Sequence, residues 1–244
     1  MAISDDTLIE ERRPSPSYRS RRRQIAEYFD ATAAEAWQRL TSDAPVSKVR
    51  ATVREGRARM ADTLAGWMPE DLSGARILDA GCGTGMMAQR LAARGAEVVA
   101  VDLAESLVKV AAARAAEVLP EEQAARISFF AGDMLDAKLG RFDWIIAMDS
   151  LIHYRQHDLI ETAERLATRS EQALLMTFAP RTRSLAMMHF AGQMFPRGDR
   201  SPAIEPIPAE RLKARLSALG LTPGRSARVA AGFYISEALE VSAP

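Results

Sequence analysis

The chain predicts an α/β fold, a mostly parallel seven-stranded sheet ending in an antiparallel hairpin, with helices placed before it. Three observations carry this. Apolar strand-like runs alternate with helical runs from Arg76 to Phe178, the pattern of a parallel sheet covered on both faces. The first such run, Ile77-Leu78-Asp79-Ala80, opens into Gly81-Cys82-Gly83-Thr84-Gly85, where glycines let the backbone coil tightly and approach a ligand. Acids then stand at three successive strand ends, Asp79, Asp102 and Asp133, and ligands of open α/β sheets gather at those ends.

Taken in order, residues 1–16 carry two prolines and mixed charges and are expected to be mobile. Residues 17–69 read as helices. Ile25, Tyr28 and Phe29 share a face, and Thr32 with Glu35 has capping-box spacing ahead of Trp37 and Leu40. A further helix follows Pro45, with Val46, Val49, Val53, Met60, Leu64 and Trp67 on one stripe, and stops before Pro69. Such helices either cover a sheet edge or close over a ligand as a lid. The main domain spans 70–244. After the first strand come a helix from Met86 to Arg94, a strand from Glu97 to Asp102 and a helix from Ala104 to Val118. Strands follow at Ile127 to Ala131 and Phe142 to Met148, then a helix from Gln156 to Thr168 and a strand from Ala173 to Phe178. An insertion at 180–207 is far longer than a compact fold needs and precedes a helix near Pro208. Thr222 to Val229 and Gly232 to Leu239 form the hairpin, joined by an Ala-Ala-Gly turn.

Composition narrows the function. Lysine plus arginine and aspartate plus glutamate number 32 each, so net charge does not argue for nucleic acid, although arginines cluster at Arg12-Arg13 and Arg19 to Arg23. Hydrophobic residues make up 48% of the 244, ample for a core. The lone cysteine, Cys82, excludes an internal disulfide and fits a reducing, cytoplasmic setting. Inside the glycine turn it reads as space-filling. The N-terminus is acidic and polar where a secretion signal needs an apolar core, and no apolar run approaches a membrane span. His153, His157 and His189 make no metal-ligand motif.

The turn aims N–H groups of the following helix at its ligand, but its G-x-G-x-G spacing differs from the dinucleotide fingerprint G-x-G-x-x-G. A carboxylate within the turn, Asp79, repels a pyrophosphate and suits a cation. Asp102 ends the second strand, where an acid accepts from ribose hydroxyls. Asp133 reads either as a strand-end turn residue or as an adenine acceptor. The whole resembles the first motif of class I S-adenosylmethionine-dependent methyltransferases, and so implies their Rossmann-like fold. Cofactor contacts are then expected from Asp79, Gly81, Cys82, Gly83, Gly85, Asp102, Leu103, Asp133, Met134 and Met148, with S-adenosylhomocysteine as product.

Acceptor identity lies elsewhere. Tyr28-Phe29, Trp37-Gln38-Arg39-Leu40, Leu78 to Gly85, Met148-Asp149-Ser150-Leu151-Ile152-His153-Tyr154, Thr177 to Thr182 and Phe195-Pro196-Arg197 together resemble the magnesium-protoporphyrin IX O-methyltransferase family of bacteriochlorophyll and chlorophyll biosynthesis. That resemblance implies methyl-ester formation on one propionate of a magnesium porphyrin, with magnesium only inside the substrate. It also implies handover from the large porphyrin-binding subunit of magnesium chelatase, with peripheral contact at the photosynthetic membrane left open.

His153 and Tyr28 are the expected catalytic groups, His153 as a positioning donor or a proton manager and Tyr28 as a second hydrogen-bond donor. Their plainer readings are a cap of the next helix for His153 and a buried aromatic for Tyr28. Ser150, Met188, Phe195, Arg197 and Arg200 are expected to bind the porphyrin. The Met-rich run 187–200 forms either a flap on the flat macrocycle, its arginines pairing a propionate, or an amphipathic helix packed on the sheet. Two other functions stay open: a quinone-type or other small-molecule methyltransferase, and a non-catalytic cofactor-binding partner of the chelatase.

Overall fold

The computed structural model describes residues 13–30, 48–181 and 203–244. Two helices precede the sheet, α1 (Pro16–Tyr28) and α2 (Lys48–Ala65). The main domain then runs β1 (Arg76–Ala80), α3 (Met86–Ala92), β2 (Glu97–Asp102), α4 (Glu105–Val118), α5 (Glu121–Ala124), β3 (Ile127–Ala131) and β4 (Phe142–Ala147). It continues with α6 (Gln156–Ala167), β5 (Ser170–Phe178), α7 (Ala209–Ala218), β6 (Thr222–Ala231) and β7 (Tyr234–Ser242). The strands form a seven-stranded sheet in the order β3-β2-β1-β4-β5-β7-β6. The first five are parallel, and β7 joins β5 and β6 antiparallel.

Period-two alternation along the strands divides the core. Leu78, Ile145, Leu174 and Leu239 face one side, against Tyr18 and Ile25 of α1, Leu159 of α6 and Leu212 of α7. Ile77, Ile146, Leu175 and Ala238 face the other, against Met60 and Leu64 of α2 and Leu91 of α3. Burying a leucine or isoleucine contributes about 1.5–3 kcal/mol, so these two layers fix which residues reach the strand ends.

Some expectations change at their edges. Of the segment expected to be mobile, residues 13–16 are described, and Ser15 there is the N-cap of α1 and accepts from the Tyr18 N–H. Its hydroxyl also donates to buried Asp158. Val49 is exposed, and Trp67 lies beyond the end of α2. The hairpin turn is Gly232-Phe233, not Ala-Ala-Gly, because Ala231 still pairs with Tyr234. Thr32, Glu35, Trp37 and Leu40 lie outside the described residues, as does all of 187–200.

Candidate active site

A cavity of about 390 Å³ opens at the carboxyl ends of β1, β2 and β4, where the order of the sheet reverses and such ligands bind. Its walls include Gly81, Gly83, Asp102, Leu103, Met134, Met148, Ser150 and His153, all anticipated from sequence, and Tyr28 from the end of α1. Asp79, Cys82, Gly85 and Asp133 are not on the wall. Met188, Phe195, Arg197 and Arg200 lie outside the described residues.

Gly81 sits at φ 86°, a region that L side chains rarely adopt. A Cβ there would come within 2.3 Å of Ser150 Cβ. The turn and the loop after β4 therefore touch, and only glycine permits it.

Asp102 is wired from both sides. Its Oδ2 accepts the Gly83 N–H at 2.8 Å and its Oδ1 the Ala104 N–H at 2.9 Å. A carboxylate offers about four lone-pair sites, and the Leu103 N–H adds a third backbone bond, which leaves room for a further donor. Burial raises its pKa, against the bonds from Ala104 and Gly83.

Asp79 corrects the sequence reading. It belongs to β1, not to the turn, and is 2% exposed. Its Oδ2 accepts the Ala88 N–H at 3.1 Å, which ties the first turn of α3 to the strand. Desolvation raises its pKa to about 7, opposed by the Ala88 bond and helped by the nearby Asp102 charge. Cys82 is buried, and its thiol is pushed up by desolvation and by Asp79 and Asp102; this is the reverse of an activated nucleophile.

Asp133 is held by the N-terminal helix. Tyr18 donates its hydroxyl to Oδ1 at 2.7 Å, the Leu135 N–H adds a bond at 3.0 Å, and Arg22 pairs with Oδ2 at 2.5 Å. Tyr18 also stacks on Tyr154, with ring centroids 4.8 Å apart. α1 is thus docked on the acid that the sequence assigned to adenine, a link that pattern alone could not supply.

His153 ends a short 3-10 turn, Leu151–His153, and its ring meets Phe29 edge-on with centroids 6.3 Å apart. The capping alternative fails, since Arg155 is the N-cap of α6. Tyr28 is half-buried on the cavity wall, so it is not a buried packing aromatic. His157 is exposed and contacts Ser17 and Asp158.

The sequence reading missed one cavity wall. Arg50, Val53 and Arg57 of α2 and Phe233 and Tyr234 of the hairpin close it. The spacing of 50, 53 and 57 was a usable helical signal.

The residues present fit S-adenosylmethionine. Asp102 keeps room for a ribose hydroxyl, and apolar Leu103, Met134 and Met148 suit a planar base. The buried Ser150 Oγ has no hydrogen-bond partner, as expected of a group kept for a ligand. Among the described residues no cluster of three or more His, Cys, Asp or Glu could hold a metal, and no helix is long and apolar enough to cross a membrane.

Strand order, glycine turn and acid-ended second strand define a class I S-adenosylmethionine-dependent methyltransferase. Residues 77–170 match the general methyltransferase domain, and residues 147–243 match the family described as magnesium-protoporphyrin IX methyltransferase C-terminus. Magnesium-protoporphyrin O-methyltransferase of Rhodobacter capsulatus is 45% identical over 91% of this chain and 97% of its own length. The crystal structure of magnesium protoporphyrin IX methyltransferase from Synechocystis PCC 6803 with bound SAH superposes with TM-score 0.81. It is 28% identical and covers 90% of this chain and 98% of that one. The form with bound SAM gives 0.78 at 25% identity, over 92% and 97% of the two chains. The chain belongs to the magnesium-protoporphyrin O-methyltransferase family.

Proposed function

We propose that this protein transfers a methyl group from S-adenosylmethionine to a propionate carboxylate of magnesium-protoporphyrin IX, giving the monomethyl ester in bacteriochlorophyll biosynthesis. The carrying observation is the family match over residues 147–243, because that segment supplies much of the cavity wall, the part this reading gives to the acceptor. Ser150, Ile152, His153, Ile204, Phe233 and Tyr234 all belong to it.

When bound, S-adenosylmethionine supplies an electrophilic methyl on its sulfonium. A propionic acid resembles glutamic acid, with a pKa of about 4.3, so it arrives ionised and needs no strong base. The task of the chain is to hold one carboxylate oxygen in line and to exclude water. Tyr28 and His153, both on the cavity wall, donate to that carboxylate, and the edge of Phe29 keeps the His153 ring in place. Asp102 receives the ribose hydroxyls. Asp133 keeps one lone-pair site for the adenine amino group, beside Met134.

In this reading α1 and α2 serve as a lid that seals the site. Met188 and Phe195 lie on the macrocycle, while Arg197 or Arg200 pairs the propionate that stays free. The substrate carries its own magnesium and comes from the large subunit of the chelatase, at the periphery of the photosynthetic membrane. Incubation with methyl-labelled cofactor and a panel of acceptors tests the assignment. Label should enter magnesium-protoporphyrin as an alkali-labile ester; label entering only quinone-type phenols would refute it.

A further inference from the structure

Asp149 follows β4 and is the only described non-glycine residue with positive φ, at 56°. Such a conformation is unfavourable for a residue with a Cβ and persists only where the surroundings over-determine it. Here they do. Arg57 of α2 pairs with Oδ2 at 2.5 Å, the two side chains 14% and 6% exposed. Tyr234 of β7 donates its hydroxyl to Oδ1 at 3.0 Å. Thr177 of β5 accepts the Asp149 N–H at 2.7 Å and returns a bond to Oδ1 at 3.2 Å.

Three separate elements thus converge on one carboxylate, and the chain makes room for it. Gly56 lies inside α2, where glycine is a poorer helix former than alanine. A Cβ at Gly56 would sit 2.4 Å from the Tyr234 ring, so the missing side chain is the notch that seats the ring. Desolvation, then the Asp149 charge, holds the Tyr234 hydroxyl protonated and donating. Directly after Asp149 come Ser150, with its unpartnered Oγ, and the turn ending in His153.

We infer that Asp149, gripped by Arg57, Thr177 and Tyr234, is a positioning residue for the methyl transfer, setting the turn that carries Ser150 and His153 at the cavity. The inference rests on the methyltransferase reading above. A carboxylate serving fold stability alone would need neither a left-handed backbone beside the cavity nor a notch cut into a helix.

The test uses the full chain and three variants, with kcat and KM for magnesium-protoporphyrin, calorimetric binding of S-adenosylhomocysteine, and melting temperature. Tyr234→Phe keeps the ring and removes one hydrogen bond, and should lower kcat about three- to tenfold with product binding unchanged. Asp149→Ala should lower kcat about a hundredfold, the scale of a misplaced reacting group. Asp149→Asn tolerates the left-handed backbone and still accepts from Tyr234 and Thr177 but loses the charge that pairs Arg57, so it should recover part of that loss. If Asp149→Ala does not fold, Tyr234→Phe and Asp149→Asn decide. An unchanged kcat with a lowered melting temperature overturns the inference, as does Asp149→Asn no better than Asp149→Ala. Wild type that methylates no porphyrin overturns the underlying reading instead, and the inference with it.

Discussion

Replacing Asp79 with asparagine should leave stability nearly unchanged in acid and raise it above neutral pH. Asp79 is buried in β1, and its pKa is raised from 3.8 to about 7, mainly by desolvation. The folded protein therefore binds this proton more tightly than the unfolded chain does. The stability that the proton contributes is complete below pH about 4 and is lost as pH rises through about 7. A rise from 3.8 to about 7 corresponds to about 4 kcal/mol, an upper limit for a site that water can reach during fluctuations. Asparagine keeps an oxygen for the Ala88 N–H and has no charge to bury. Urea unfolding of both proteins from about pH 4 to about pH 8, followed by tryptophan fluorescence, isolates the effect, because other titrating groups cancel in the difference. The variant should gain on wild type from about pH 4 to about pH 7 and then hold its lead. A difference that stays flat would refute the reasoning. A cation held across the Gly81 turn favours the ionised acid, so cofactor affinity in wild type should rise with pH through about 7, and this dependence should vanish in Asp79→Asn.

Asp102→Ala should weaken cofactor binding by roughly 1–3 kcal/mol; unchanged affinity by calorimetry would remove it from the site. Gly81→Ala forces a Cβ onto Ser150 at a left-handed backbone position, so loss of cofactor binding, or of the fold, is expected and wild-type affinity is not. His153→Ala should reduce turnover while cofactor affinity stays near wild type, and intact turnover would end its role. Replacing Arg197 and Arg200 together with glutamine should weaken porphyrin binding roughly ten- to hundredfold, read by absorbance titration, with cofactor binding spared; unaltered porphyrin affinity would move the propionate anchor elsewhere.

What was legible in the sequence is what local physics dictates. Alternating strand and helix patterns located every strand of the sheet, and the glycine turn and Asp102 marked residues that the structure brings to the cavity wall. The missed features depend on residues far apart in the chain. Asp79 could be numbered into the turn, but its burial depends on how β1 sits between β2 and β4. Tyr18 and Arg22 reach Asp133 across more than a hundred positions, and Arg57, Asp149 and Tyr234 meet only because α2 docks on the hairpin. No periodicity encodes such a meeting. Gly56 left a trace, as a glycine inside a helical run, yet its reason is a ring from the other end of the chain.

The most direct measurement is the fate of the methyl group in a single turnover. Purified protein, methyl-labelled S-adenosylmethionine and magnesium-protoporphyrin IX are mixed, and the tetrapyrrole is separated and treated with alkali. One labelled methyl per porphyrin, released by alkali and matched by one S-adenosylhomocysteine, is the predicted result. Cofactor binding with no label on the tetrapyrrole, or label that survives alkali, would contradict the assignment of this site to a porphyrin carboxylate.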